Sequence, residues 1–68
     1  MHLRAHYKGK LYHVRVRKNG MIRFGGKLYK SPSMAAVAVT GRATNGWGFW
    51  RYERAPGDWV RLREVRSR

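Results

Sequence analysis

The sequence predicts a small α+β fold, in which an antiparallel β-meander packs on one short α-helix and is followed by a further strand or helical turn. Two observations lead to this fold class. Apolar and basic residues alternate through positions 12–24 around an Asn-Gly pair, and an uncharged, alanine-rich segment then begins at Ser-Pro and ends before a glycine. With 68 residues, the chain has the length of one small domain.

The meander is predicted from a two-residue period. Positions 12, 14 and 16 are apolar, whereas 13, 15 and 17 are His or Arg, so one face of the sheet would be apolar and the other basic. Asn19-Gly20 is predicted to form a type I′ hairpin turn, which needs two residues that tolerate positive φ. The pattern resumes at positions 22 and 24, with Arg23 on the basic face. Further short strands are expected over residues 3–7 and 27–29.

The helix has clear start and stop signals. Ser31 fits the N-cap position, and Pro32 fits the first helical position, where its missing N–H has no consequence. Gly41 fits the position just after the helix, in the left-handed conformation. The stripe predicted to cover the apolar sheet face consists of Met34, Val37 and Ala38.

The last third of the chain is aromatic and then basic. Five aromatic residues fall between positions 47 and 59, and Pro56-Gly57 marks a turn. Residues 51–54 and 60–65 are interpreted as further strands or a terminal helical turn, because periodicity does not decide between the two. Asn45-Gly46 is interpreted as a turn with positive φ.

Net charge is the main functional signal. Sixteen Lys and Arg residues stand against three acids, and eleven of the sixteen are Arg, which binds phosphate through two N–H groups and stacks on bases. A formal charge of +13 on so small a domain is self-repelling, so we expect a polyanionic partner, with double-stranded DNA the first candidate. A membrane surface is less favoured, because the one helix is nearly uncharged.

Few residues suit catalysis or metal binding. The acids Glu53, Asp58 and Glu64 show no spacing typical of general acid–base pairs, and the chain has no cysteine. Three histidines near the N-terminus lack the carboxylate or thiolate support of a typical metal site. We therefore expect a non-catalytic protein without metal or cofactor. The sequence shows no apolar leader, which favours the cytoplasm, or the nucleoid in a bacterium.

Nucleic-acid contacts are predicted at two kinds of position. Basic residues on the polar sheet face and at element ends would bind phosphates. Polar and indole groups at the helix start and in the following turn would add specific contacts, since a helix N-terminus can bind phosphate and Asn can pair with adenine. Each of the latter also has a structural interpretation as a cap, a turn or core. The predicted residues are Arg15, Arg17, Arg23, Lys30 and Arg42 for phosphate, and Ser31, Ser33, Asn45 and Trp47 for the second group.

Several motifs together resemble one known family. Tyr29-Lys30-Ser31-Pro32-Ser33 precedes a small-residue helix ending Thr40-Gly41, and Asn45-Gly46-Trp47 and Phe49-Trp50 follow. This order is similar to the RAMA domain, the restriction enzyme and adenine methylase associated domain. The family's closing pattern is resembled by Gly57, Trp59, Leu62 and Arg66.

The resemblance implies an α+β module that is usually appended to DNA methyltransferases, nucleases or other restriction-linked proteins. It implies DNA binding, with sensing of adenine methylation as a further role, and it matches the family's characteristic positions to Ser31, Asn45 and Trp47. Two other classes stay open. One is an RNA-binding or ribosome-associated protein, and the other is a protein-interaction module or inhibitor that binds an acidic partner.

Overall fold

One antiparallel sheet of six strands forms the framework, with helices packed against one of its faces. The chain is described by a computed structural model over residues 1–65, and Arg66, the last residue of the RAMA-like pattern, lies outside the described residues. The α+β class expected from the sequence is confirmed. The elements are β1 (His2–Tyr7), β2 (Lys10–Val16), β3 (Ile22–Phe24), β4 (Lys27–Tyr29), α1 (Pro32–Thr40), α2 (Gly46–Phe49), β5 (Arg51–Ala55), β6 (Asp58–Arg61) and a 3₁₀ turn (Leu62–Val65).

Strand β1 lies inside the sheet, whose strand order is β4-β3-β2-β1-β5-β6. It pairs with β2 along its full length, and on its other side it pairs with β5 at two positions, one of which sets Arg4 opposite Arg51. The first four strands form the predicted meander. The C-terminal segment adds both a β5–β6 hairpin and the 3₁₀ turn, so the two interpretations that the sequence left open are both present.

The turn between β2 and β3 is not the predicted type I′ turn. Gly20 has a φ of +85°, whereas Asn19 does not adopt positive φ. The N–H of Gly20 donates to the Arg17 carbonyl (2.9 Å) and that of Arg17 to the Met21 carbonyl (2.8 Å), so the loop has three residues rather than two. Asn19 Oδ1 also accepts from the Met21 N–H (3.0 Å). This local side-chain bond is what an Asx turn provides, and it holds the hairpin without a second positive φ.

Helix α1 begins and ends where the sequence predicts. The N–H of Met34 donates to Ser31 Oγ (3.2 Å), and Pro32 is the first helical residue. At the other end Gly41 has a φ of +76° and donates its N–H to the Val37 carbonyl (2.7 Å). Neither helix of residues 1–65 has the length and apolar character needed to cross a membrane.

The face of α1 that meets the sheet is not the predicted one. Met34, Val37 and Ala38 are exposed and line a shallow apolar groove of about 390 Å³. Ala35 and Ala36 are fully buried instead. The physical reason is the size of the contacting groups, because methyl side chains let the helix backbone approach the sheet and larger side chains would hold it away.

The core lies between the sheet and the helices. Leu3 and Ile22 enter it from the strands, and Trp50 and Leu62 enter it from the C-terminal third. Trp50 is fully buried, and its Nε1–H donates to the Pro32 carbonyl (3.0 Å), so the polar atom of the ring has a partner. This bond links the residue after α2 to the first turn of α1.

A second short helix, α2, forms where the sequence predicts a turn with positive φ. Asn45 is its N-cap, and Asn45 Oδ1 accepts from the Trp47 N–H (3.0 Å). Gly46 is helical and does not have positive φ, so that prediction is wrong. Glycine is required for a different reason, since a Cβ at position 46 would overlap the backbone of Pro32. The two helices therefore touch backbone to backbone.

Candidate nucleic-acid interface

The sheet face opposite the helices, here called the outer face, carries a row of arginines. Directly opposed residues of antiparallel strands lie on the same face. Arg15 on β2 is opposite Arg23 on β3. Arg4 on β1 is opposite Arg51 on β5, which in turn is opposite Arg61 on β6. The arginine stripe is defined as these five residues, which run across the sheet from β3 to β6.

Three of the four neighbouring pairs within the stripe bring like charges directly opposite one another. Arg15–Arg23, Arg4–Arg51 and Arg51–Arg61 are all directly opposed, and such pairs destabilise an isolated sheet. Within residues 1–65, none of these arginines forms an ion pair with a carboxylate. The folded domain thus carries repulsion on this face that a polyanion would relieve.

Two of the three acids are held at the tip of the β5–β6 hairpin. Asp58 Oδ2 accepts from Arg54 Nη2 (2.8 Å) and Nε (3.0 Å), and this hydrogen-bonded ion pair raises the pKa of Arg54 above its ordinary value. Glu53 Oε2 accepts from the Gly57 N–H (2.7 Å). These carboxylates stabilise the turn, and within residues 1–65 neither forms an ion pair with an arginine of the stripe.

An aromatic residue contacts the middle arginine of the stripe. The guanidinium carbon of Arg4 lies 3.8 Å from the centroid of a Trp59 ring, a cation–π contact. A guanidinium that contacts a ring in this way can still donate N–H groups to an anion. Beside this contact lies a cleft of about 600 Å³, whose lining includes His6, Arg51 and Arg61.

Two histidines occupy the centre of the stripe. His2 is opposite Arg15, and His13 is opposite Arg4, so both rings lie on the outer face. His2 Nε2 and His13 Nδ1 are 3.1 Å apart and share a hydrogen bond, and the ring centroids are 5.1 Å apart. These two residues are called the histidine pair below. Residues 1–65 contain no group of three or more His, Asp or Glu side chains placed to hold a metal ion.

A second polar cluster, the helix corner, lies where α1 meets α2 and consists of Ser31, Ser33 and Asn45. Ser33 Oγ accepts from the N–H of Gly46 (3.0 Å) and so joins the two helices. Ser31 Oγ and Asn45 Oδ1 accept the backbone N–H groups already described, at the starts of α1 and α2. Each of the three side-chain oxygens is therefore engaged by the fold itself.

Comparison with known families decides the relationship of the chain. The family model described as Restriction Enzyme Adenine Methylase Associated (RAMA) matches residues 1–68. The chain belongs to the RAMA family. This family is associated with the adenine methylases of restriction-modification systems. No curated protein and no solved structure matches the chain significantly.

The predicted phosphate-binding residues lie in two different regions of the RAMA domain. Arg15 and Arg23 belong to the stripe, and Arg17 lines a groove of about 470 Å³ that also includes His2 and Arg15. Lys30 and Arg42 are exposed, lie just before and just after α1, and are not members of the stripe. Their phosphate contacts stay predictions.

The second group of predicted residues lies on the helix side of the RAMA domain. Ser31, Ser33 and Asn45 form the helix corner, and Trp47 is partly buried against the core. The contact of these four residues with DNA stays a prediction. For Ser31, Ser33 and Asn45, a DNA contact would compete with the hydrogen bonds that their side-chain oxygens already accept within the fold. A bidentate contact of Asn45 with adenine would use the same oxygen that caps α2.

Several outer-face residues were missed by reasoning from the sequence. Arg4 was detectable, because residues 2–6 alternate basic and apolar groups like the next strand. Arg51 and Arg61 were detectable only once their segments were known to be strands, and their alignment with Arg4 depends on the β1–β5 pairing. That pairing joins segments almost fifty residues apart, which no local pattern encodes.

Proposed function

We propose that this RAMA domain is a non-catalytic module that binds double-stranded DNA through the arginine stripe. The observation that carries the proposal is the set of directly opposed arginines on the outer face, none of which forms an ion pair with an acid of residues 1–65. A sheet tolerates this arrangement at a cost in stability. Phosphates placed over the stripe would convert the repulsion into attraction and release bound counterions.

The dimensions of the stripe favour a duplex. It crosses four inter-strand intervals of about 4.8 Å, which gives a rigid row about 19 Å long. Duplex DNA carries one negative charge per about 1.7 Å of its axis, so a row of this length faces many phosphates at once. Among the described strands, Trp59 is the one Trp, Tyr or Phe on the outer face, and Arg4 covers one side of its ring. Single strands are usually bound by several open aromatic platforms instead.

The proposal that the domain is not an enzyme rests on its carboxylates. Asp58 is ion-paired with Arg54, and Glu53 is bonded to a turn N–H, so both have structural partners. General acid–base chemistry needs a carboxyl or imidazole aimed at a reacting group with a matched partner. Nothing in the sequence supplies that pairing, and we assign catalysis to other proteins of the restriction-modification context.

A finer proposal concerns adenine methylation. The family description names adenine methylases, which supports the idea that the domain distinguishes duplexes with and without a methylated adenine. The residues that the family resemblance offers for this discrimination are Ser31, Asn45 and Trp47. Attraction to phosphates carries no sequence information. General DNA binding and discrimination of methylated adenine can therefore be measured separately.

The testing experiment is a set of fluorescence-anisotropy titrations at matched salt. The ligands are an unmethylated duplex, the same duplex with N6-methyladenine, a single-stranded RNA of equal length and an acidic polypeptide. We expect both duplexes to bind more tightly than the RNA and the polypeptide, with affinity falling steeply as salt rises. Tighter binding of RNA or of the polypeptide would overturn the duplex proposal. Equal affinity for the two duplexes at high salt would overturn methylation sensing alone.

A further inference from the structure

The histidine pair has an unusual electrostatic setting. It lies at the middle of the arginine stripe, where the row passes from Arg15 on β2 to Arg4 on β1. Two arginines of the outer face are directly opposed to members of the pair, and two more are opposed to those arginines in turn. From β2 and β3 come Arg15 and Arg23, and from β1 and β5 come Arg4 and Arg51.

Other titratable groups near the pair are few. His6 lies on the same face of β1, two positions beyond Arg4. The α-amino group of Met1 is 3.4 Å from the Val16 carbonyl oxygen and shares a groove with His2. Across the β1–β2 pairing, no carboxylate is directly opposed to either histidine. On the other side of β1, the register that sets Leu3 opposite Tyr52 brings Glu53 of β5 to the position beside His2, with its carboxylate hydrogen-bonded to the Gly57 N–H. The pair therefore has arginines beside it on β1 and β2 and one hydrogen-bonded acid on β5.

Hydrogen bonding within the pair fixes where a proton can be added. One ring nitrogen of each histidine is used in the 3.1 Å contact, which holds one proton between the rings. In either tautomer, one of the two outward nitrogens, His2 Nδ1 or His13 Nε2, has no proton. A proton taken up there from solvent leaves the shared bond intact, adds one positive charge and gives the pair two outward N–H donors.

We propose that the histidine pair is a phosphate-binding site that takes up a proton when DNA binds. This inference rests on the proposed function, because it places a phosphodiester over the centre of the stripe. In the free domain, arginines of the stripe are directly opposed to both members of the pair. A bound phosphate reverses the sign of that local field and accepts hydrogen bonds from both outward N–H groups. Binding and protonation then favour each other.

The direction of the pH dependence follows from this coupling. The bound state holds more protons than the free state, so affinity rises as pH falls through the range in which histidine changes charge, about pH 8 to 6. Lys and Arg stay charged over this range. For one proton, we expect DNA to bind about tenfold more tightly at about pH 6 than at about pH 8.

The first test compares histidine variants on the same duplex at constant ionic strength. His2→Gln and His13→Gln each break the pair and should reduce the pH effect to about twofold or less, whereas Arg54→Gln, outside the stripe, should keep the tenfold effect. All three side chains are exposed, so folding is expected to survive. A pH effect that persists in the pair variants would assign it to another group, such as the Met1 amine, and overturn the proposal.

The second test counts protons directly. Isothermal titration of the wild-type domain with duplex at neutral pH, in two buffers of different ionisation enthalpy, reports the protons taken up per complex. We expect between about half and one proton for the wild type and for Arg54→Gln, and close to none for His13→Gln. Tight DNA binding with no proton uptake would overturn the histidine proposal and leave the stripe proposal standing. Failure to bind duplex at any pH would overturn both.

Discussion

The arginine stripe and the helix corner are both polar, and they differ in how their polar groups are used. In the helix corner, Ser33 Oγ accepts from Gly46, and the oxygens of Ser31 and Asn45 cap the two helices. In the stripe, cations face cations across the strands and no carboxylate of residues 1–65 forms an ion pair with them. The side-chain oxygens of one cluster have their partners within the fold, whereas the charges of the other have no ion-pair partner among the described residues.

This difference shows how structure and binding are divided in a small domain. Groups whose hydrogen bonds close inside the fold stabilise it, and their loss should lower the free energy of unfolding. Groups held against like charge destabilise the fold, and under the proposed function they strengthen DNA binding. Their loss should therefore leave the free energy of unfolding unchanged or raise it, and should weaken DNA binding. Substitutions in the two regions should therefore separate stability from DNA affinity.

The largest effect is expected at the backbone contact beneath the helix corner. Gly46→Ala would place a Cβ into the backbone of Pro32 and force α1 and α2 apart. We expect a loss of about 3 kcal/mol in the free energy of unfolding, at the upper end for overpacking. Chemical denaturation followed by tryptophan fluorescence measures it. Gly48→Ala is the matched control, since a Cβ there meets open space, and equal losses in both variants would refute the close-contact explanation.

The next effect concerns the bond that joins the helices. Ser33→Ala removes the acceptor of the Gly46 N–H, and Gly46 is buried. An unsatisfied buried donor costs about 1–3 kcal/mol of stability. DNA affinity of the folded fraction should stay within error of the wild type. A variant of wild-type stability with weakened DNA binding would instead place Ser33 in the interface.

The stripe should respond in the opposite way. Arg51→Gln removes the arginine that has an arginine on each side, so we expect about tenfold weaker duplex binding together with unchanged or slightly higher stability. Anisotropy titration and denaturation of the same sample measure the two quantities. Arg54→Gln is the control on the same strand, because Arg54 is paired with Asp58. Equal affinity for the wild type and Arg51→Gln would remove Arg51 from the interface.

The smallest effect is expected at Asn45, where it tests whether the helix corner has only a structural role. Asn45→Ala removes the α2 cap and should lower stability by about 1 kcal/mol. If the helix corner is structural, the affinities for methylated and unmethylated duplexes fall equally or not at all. A selective loss of affinity for the methylated duplex would show instead that Asn45 reads the base, as the family resemblance implies.

Much of the fold was predictable because its signals are local. Ser31, Pro32 and Gly41 define α1 by capping chemistry, and the alternation over residues 12–17 defines β2. The buried face of α1 was not predictable in the same way, because a run of alanines and valines gives little contrast around the helix. The helical start at Gly46 depends on contact with Pro32, which the sequence does not reveal.

The candidate site was predictable only in part. Arg15 and Arg23 follow from alternation within one hairpin, whereas the placement of Arg4 beside Arg51 and Arg61 requires a long-range strand pairing. The histidine pair likewise appears only when the β1–β2 register is known. Charge composition therefore predicts a class of partner, and the sheet topology is needed to propose which residues would contact it.

The most direct test of the central claim is the salt dependence of duplex binding. Each arginine that neutralises a phosphate contributes about −0.9 to the slope of log affinity against log salt concentration. Replacing Arg15 and Arg51 together by Gln should make the slope shallower by about 1.8, while Arg54→Gln leaves it unchanged. A double variant with the slope and affinity of the wild type would contradict the assignment of the arginine stripe as the DNA-binding surface.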